Sequence, residues 1–174
     1  FGKLNEAIRS MKYDMLSFTA HKFGGPQGVG GLVLRRKRYK LPPITSLFCG
    51  GQQERSIRPG TTPVALIAGM TVAAEIADRE CVEQQEKCAA IKKQLLRQLD
   101  GLRYTINGDP SFCIPNTINI SFDGVDAESL FVALKAEYAF SNGSACNSSS
   151  YKPSYVLTEM GLSGQLIGES VRIS

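Results

Sequence analysis

The sequence predicts an α/β fold. Three observations carry that expectation: an apolar strand, a glycine-rich loop and a return strand open the chain; a long helical stretch follows; and strands alternate with helices beyond Gly101. Residues 4–12 read as a short helix. Tyr13 to Phe18 is apolar enough for a buried strand, running straight into Thr19-Ala20-His21-Lys22. After the glycine-rich turn from Gly24 to Gly31, the apolar, partly β-branched stretch from Val29 to Leu34 returns as a strand. Its end is a basic run, Arg35-Arg36-Lys37-Arg38-Tyr39-Lys40.

Lys40 to Gly60 is loop, punctuated by Pro42-Pro43, Gly50-Gly51 and Pro59-Gly60. Thr62 followed by Pro63 predicts a helix start, a hydroxyl cap before a proline in the first helical position. Ile67, Met70, Ala74 and Ala77 then recur on one face, and helical character runs on to about Leu99 with a kink expected near Asp78. Gly101 ends it. Leu102 to Ile106 and Thr117 to Phe122 predict strands, the second alternating Ile118, Ile120 and Phe122 against Asn119 and Ser121. Asp126 caps a helix over Ala127 to Glu137, Ala139 to Ser141 is short and apolar, and Pro153 to Met160 forms a last helix stopped by Gly161. Ser170 to Ser174 reads as a strand. A domain boundary is expected near residue 80, dividing 1–80 from 81–174.

Composition narrows the function. With 43% hydrophobic and 21% charged residues over 174 positions, the profile is that of a globular protein. No run approaches the roughly 20 apolar residues that span a bilayer, and no membrane partner is expected. Phe1-Gly2-Lys3 is no natural start, so the chain reads as processed or as part of something longer. Five cysteines without a C-x-x-C pair suit neither a disulfide framework nor a zinc site, which points to free thiols in a reducing, cytoplasmic setting. One histidine argues against His-rich metal sites, and no metal is expected. The formal charge of +4 is concentrated in the basic run, but no aromatic platform accompanies it, so nucleic acid is not an expected partner.

Four constellations bear on chemistry. Lys22 follows an apolar strand and precedes a glycine-rich turn, which predicts partial desolvation and a nucleophilic amine. Thr19 and His21 flank Ala20 and face the same way in an extended chain, suited to a phosphate; an ordinary exposed lysine remains open on these residues alone. In Gly50-Gly51-Gln52-Gln53-Glu54-Arg55-Ser56-Ile57-Arg58-Pro59-Gly60-Thr61, glycines, two arginines and a hydroxyl suit an anion, or form a loop stiffened by Arg–Glu pairing. Cys146 sits among small polar residues in Ser141-Asn142-Gly143-Ser144-Ala145-Cys146-Asn147, an exposed thiol, whereas Cys81, Cys88 and Cys113 read as space-filling and Cys49 stays ambiguous. Arg172, between Val171 and Ile173, suits either a carboxylate or a structural ion pair.

Taken in order, these motifs resemble the pyridoxal-phosphate-dependent cysteine desulfurases of the class-V aminotransferase group, in the long Cys-loop branch. The resemblance covers essentially the whole chain, with threonine at position 19 where serine is commoner. It implies a fold-type-I enzyme, of which 1–80 would be the C-terminal portion of the cofactor-binding large domain and 81–174 a small α+β domain carrying the Cys loop. It implies that Lys22 holds pyridoxal 5'-phosphate, that Thr19 and His21 bind its phosphate, and that Thr61 reaches the partner subunit's cofactor in a homodimer. Arg172 would hold the carboxylate of L-cysteine, and Cys146 would take its sulfur for a sulfur-acceptor protein. The ring-stacking residue and the aspartate at the pyridine nitrogen would precede Phe1. The isolated chain is therefore expected to bind the cofactor poorly, and a binding module for the acceptor is the alternative reading.

Overall fold

A two-stranded antiparallel hairpin organises the first part of the chain in the computed structural model, which describes residues 1–141 and 153–174. β1 (Met15–Thr19) pairs with β2 (Gly30–Leu34) in a register that sets Thr19 opposite Gly30 and Phe18 opposite Gly31. These glycines are required by close approach. A Cβ on Gly30 would collide with the carbonyl oxygen of Phe18, and one on Gly31 with the Phe18 ring. The strand begins two residues later than the apolar run suggested, although the Asp14 carbonyl still accepts from the Arg35 amide at 2.9 Å. The Arg35 guanidinium lies 4.7 Å from the centre of the Tyr13 ring, and Lys37 pairs with Asp14 at 2.7 Å. The hairpin is also less buried than expected, with Met15 51% and Leu32 46% exposed.

α2 (Val64–Arg79) packs on the turn after β1, where Gly69 lets Pro26 approach closely. The predicted face is the covered one: Ile67, Met70, Ala74 and Ala77 are half-buried around buried Ala73. Its start differs from the sequence reading. Pro63 sits at φ −79° and ψ 78°, outside the helix, and the Val64 amide donates to the Thr62 carbonyl rather than to a hydroxyl cap. The single long helix is in fact two, divided at Glu80, with α3 running over Cys81–Gln98. That break lies two residues from the kink expected near Asp78, whose carboxylate accepts from Asn5 and Arg9 of α1 (Asn5–Ser10) at 2.7–2.8 Å. The hydrogen bond with Glu6, with the field of Asp78 behind it, holds the Arg9 pKa above its ordinary value.

The described chain divides into two compact units, Phe1–Glu83 and Gln84–Ser174. The second is built on a three-stranded antiparallel sheet in which β4 (Ile118–Phe122) lies between β3 (Tyr104–Ile106) and β5 (Ser170–Ile173). Ile120 pairs with Ile106 on one side and Val171 on the other, and Ile120 and Val171 are essentially solvent-free. The expected alternation breaks at Ser121, which is buried rather than solvent-facing. A polar network explains this: Asn107 donates to the Ser121 hydroxyl at 2.8 Å, and that hydroxyl donates to the Leu166 carbonyl at 2.7 Å.

The Leu166 carbonyl belongs to α6 (Gly164–Gly168), a short helix that the two glycines concealed from periodicity; its cap is the Ser163 hydroxyl. α4 (Ala127–Leu134) starts at the predicted Asp126 cap and ends a turn early, and α5 is shorter than expected, at Tyr155–Glu159. Lys92 of α3 donates to the Thr117 carbonyl at 2.9 Å, tying that helix to the segment entering β4.

Ile120→Ala removes a fully buried branched side chain from the central strand and should destabilise the second unit by about 2–5 kcal/mol in urea denaturation. The Ser129 amide and hydroxyl bind Asp126 and hold its pKa below the usual carboxylate value, as the Ser111 hydroxyl and amide do for Asp109. A folded pKa below the unfolded one means that this stabilisation is complete above the ordinary carboxylate value and disappears as pH falls through the folded one. NMR titration of the Asp126 carboxyl should give a midpoint below its ordinary 3.8, and Ser129→Ala should move it upward.

Candidate functional site

The site is built around a residue with no functional group. Ala20 follows β1 and is wholly buried. Its amide donates to the Val29 carbonyl at 3.0 Å, and its carbonyl accepts from the Gly25 amide at 2.9 Å. These bonds fold residues Ala20–Phe23 into a single 3-10 turn, which Gly24 closes at φ +84°, a conformation that favours glycine. Gly25 is needed for a second reason: a Cβ there would lie 2.9 Å from that of Ala20.

With Ala20 inward, its neighbours are left at the surface. Thr19 is half-buried at the strand end, and His21 and Lys22 are exposed. The Thr19 hydroxyl and His21 Nδ1 share a hydrogen bond of 3.0 Å, so the two predicted phosphate groups do converge. Lys22 follows directly. Its expected partial desolvation is not seen, because the 3-10 turn gives the inward position to Ala20 rather than to the lysine. A hydroxyl and an imidazole at one point, with a primary amine beside them, form a donor set that fits a phosphate ester bearing an aldehyde. The residues present are therefore chemically compatible with pyridoxal phosphate.

Thr61 stands elsewhere in the first unit. It lines a pocket of about 470 Å³ with Gly50, Gly51, Arg58 and Cys49, and none of Thr19, His21 or Lys22 borders that pocket. Arg58 lies 5.6 Å from the centre of the Phe48 ring and donates to the Pro59 carbonyl. The expected Arg–Glu pairing of this loop is not formed among the described residues. Glu54, Arg55 and Ser56 instead take positive φ values of 50°, 58° and 61°.

Arg172 belongs to the second unit. Its backbone lies opposite Asn119 of β4, and on its other side it exchanges hydrogen bonds with Ser141, at 3.1 Å and 2.6 Å. Its half-buried side chain makes no ion pair or hydrogen bond with a described residue, so the structural-pair reading is not realised there. Cys146 lies outside the described residues.

The chain is matched by known proteins. The family model for aminotransferase class V matches residues 1–174. The chain belongs to that family. It is 41% identical over 174 residues to the cysteine desulfurase IscS of Escherichia coli O139:H28 (strain E24377A / ETEC), the match covering 99% of this chain and 42% of that protein. Among solved structures it resembles DndA from Streptomyces lividans at 36% identity and a TM-score of 0.77, over 100% of this chain and 49% of that one. A NifS-like protein matches at 31% identity and a TM-score of 0.84, over 99% and 44% of the two chains. The class-V chain thus spans less than half the length of these relatives.

The glycines that shape the turn escaped the search for functional residues, since only pairing register reveals why position 30 tolerates no Cβ. Gly30→Ala should displace Thr19 and cost about 1–3 kcal/mol. Backbone amide shifts of Thr19, Ala20 and Val29 should move together, while those of the three-stranded sheet stay in place.

Proposed function

We propose that this chain supplies residues 1–80 of a cofactor-binding large domain and residues 81–174 of a small domain in a fold-type-I cysteine desulfurase. The observation that carries the reading is the meeting of the Thr19 hydroxyl and His21 Nδ1 at 3.0 Å beside the exposed Lys22 amine. Similarity to a protein described as a cysteine desulfurase supports the choice of substrate.

In this reading Thr19 and His21 bind the phosphate of pyridoxal phosphate, and Lys22 anchors the cofactor. When bound, that cofactor supplies an electron sink for bonds broken at the substrate's Cα. Arg172 pairs its guanidinium with the carboxylate of L-cysteine, a geometry well suited to two parallel hydrogen bonds. The Lys22 amine takes and returns the proton at Cα. The Cys146 thiolate attacks the substrate's sulfur, so that the carbon–sulfur bond breaks, a persulfide forms on Cys146, Cβ takes up a proton, and L-alanine leaves. The persulfide sulfur then passes to an acceptor protein serving iron–sulfur assembly or thio-modification of tRNA or DNA. Thr61, in a pocket separate from Lys22, acts on the cofactor of the partner subunit in a homodimer. Free thiols suit the reducing cytoplasm for this chemistry.

The test uses the protein as its gene encodes it, with L-cysteine as substrate and released alanine as the readout. Lys22→Ala should abolish both the visible absorption of bound cofactor and alanine release. Cys146→Ser should keep that absorption and lose the persulfide and at least 100-fold of the activity. Full alanine release from Cys146→Ser would overturn the assignment. Arg172→Lys should raise KM for cysteine roughly tenfold, by loss of the bidentate grip.

A further inference from the structure

A second concave feature lies within the second unit, between α3 and residues 110–115. It is a groove of about 640 Å³, within the roughly 300–1,000 Å³ common for small-molecule sites. Leu96 and Pro115 supply apolar lining, and Lys93, Arg97, Asp100 and Cys113 also border it. Lys92 contributes too, but its ammonium is engaged by the Thr117 carbonyl.

The charges at this groove are unbalanced. Lys93 and Arg97 lie one helical turn apart on α3. Both are exposed, and neither side chain makes an ion pair or hydrogen bond with a described residue. Asp100 is the one acid bordering the groove, and it too has no salt bridge among the described residues. The sequence suggested that Cys113 fills space, but its thiol is exposed and free, donating a weak hydrogen bond to the Asp109 carbonyl at 3.2 Å. An accessible thiol thus shares a peptide-sized cleft with two unpaired cations.

We infer that this groove binds a small anionic peptide disulfide of the glutathione class and that Cys113 exchanges with it. The ligand's carboxylates meet Lys93 and Arg97, and its backbone lies along Leu96 and Pro115. The Cys113 thiol gives up its proton to solvent, and the thiolate attacks one sulfur of the disulfide. A new sulfur–sulfur bond forms to Cys113, the old one breaks, and the other half leaves as a thiolate. Cys113 is oxidised and the peptide disulfide is reduced, so no further oxidant enters.

The experiment compares glutathione disulfide with a neutral reagent, hydroxyethyl disulfide, following each cysteine by peptide mass mapping. In a Cys146→Ser background, which removes the thiol assigned to sulfur transfer, the protein should gain one glutathione at Cys113, ahead of Cys49, which is also exposed. Lys93→Glu with Arg97→Glu should slow the anionic reagent at Cys113 by about three- to tenfold and leave the neutral reagent unchanged, which also controls for folding. In the unaltered protein the preference for the anionic reagent should shrink at about 1 M salt. A preference indifferent to charge reversal and to salt, or glutathione settling first on Cys49, would overturn the inference.

Discussion

The cluster of Thr19, His21 and Lys22 hangs on the burial of Ala20. Its methyl occupies a space bounded by Gly25, its amide is taken by Val29, and its carbonyl by Gly25. A larger side chain at position 20 has nowhere to go, and a larger one at 25 meets it. Because the backbone is bonded on both sides of this residue, the flanking groups cannot drift apart independently. Thr19 is the last residue of a paired strand and His21 the second of a 3-10 turn, and the junction between those conformations brings their polar atoms to 3.0 Å. An extended chain would also put both on one face. The turn adds the specific distance, and it places Lys22 beside them at the surface. Preorganisation of this kind costs nothing at the moment of binding, since the ordering entropy was spent in folding.

The second unit solves a different problem with a different device. The sheet holds Arg172 through its backbone, and its guanidinium makes no ion pair or hydrogen bond with a described residue. β5 is paired to β4 on one side, while the reciprocal bonds with Ser141 fix the other. Ser141 is the last described residue before the segment that bears Cys146. The root of that segment is therefore tied to the strand carrying the candidate carboxylate-binding residue.

Most of the architecture was legible because it depends on local pattern. The α2 face, the Asp126 cap and the β4 core positions Ile118 and Ile120 all follow from spacing and side-chain chemistry. What escaped depends on partners distant in sequence. Nothing near Ser121 announces that Asn107 and Leu166 will enclose it, and nothing near Tyr13 announces that Arg35 will cover it. Gly164 and Gly168 hid α6 because glycine is a poor helix former, and that helix is held by its contact with β4 instead. The site divides in the same way. Thr19 and His21 could be paired from sequence, but the exposure of Lys22 could not, because it follows from which residue the turn buries.

The cysteines show why exposure matters more here than count. Cys81 is buried and Cys88 half-buried, so packing shields them from reagents in solution. Cys49 and Cys113 are both exposed, yet their surroundings differ in kind. Cys49 borders the Thr61 pocket, where Arg58 is already committed to the Phe48 ring and the Pro59 carbonyl. Cys113 borders a groove where Lys93 and Arg97 make no ion pair or hydrogen bond with a described residue. Exposure lets any disulfide approach either thiol, and the charges nearby select among those that do. Among the described cysteines, packing thus withdraws Cys81 and Cys88, while Cys49 and Cys113 stay exposed in different surroundings.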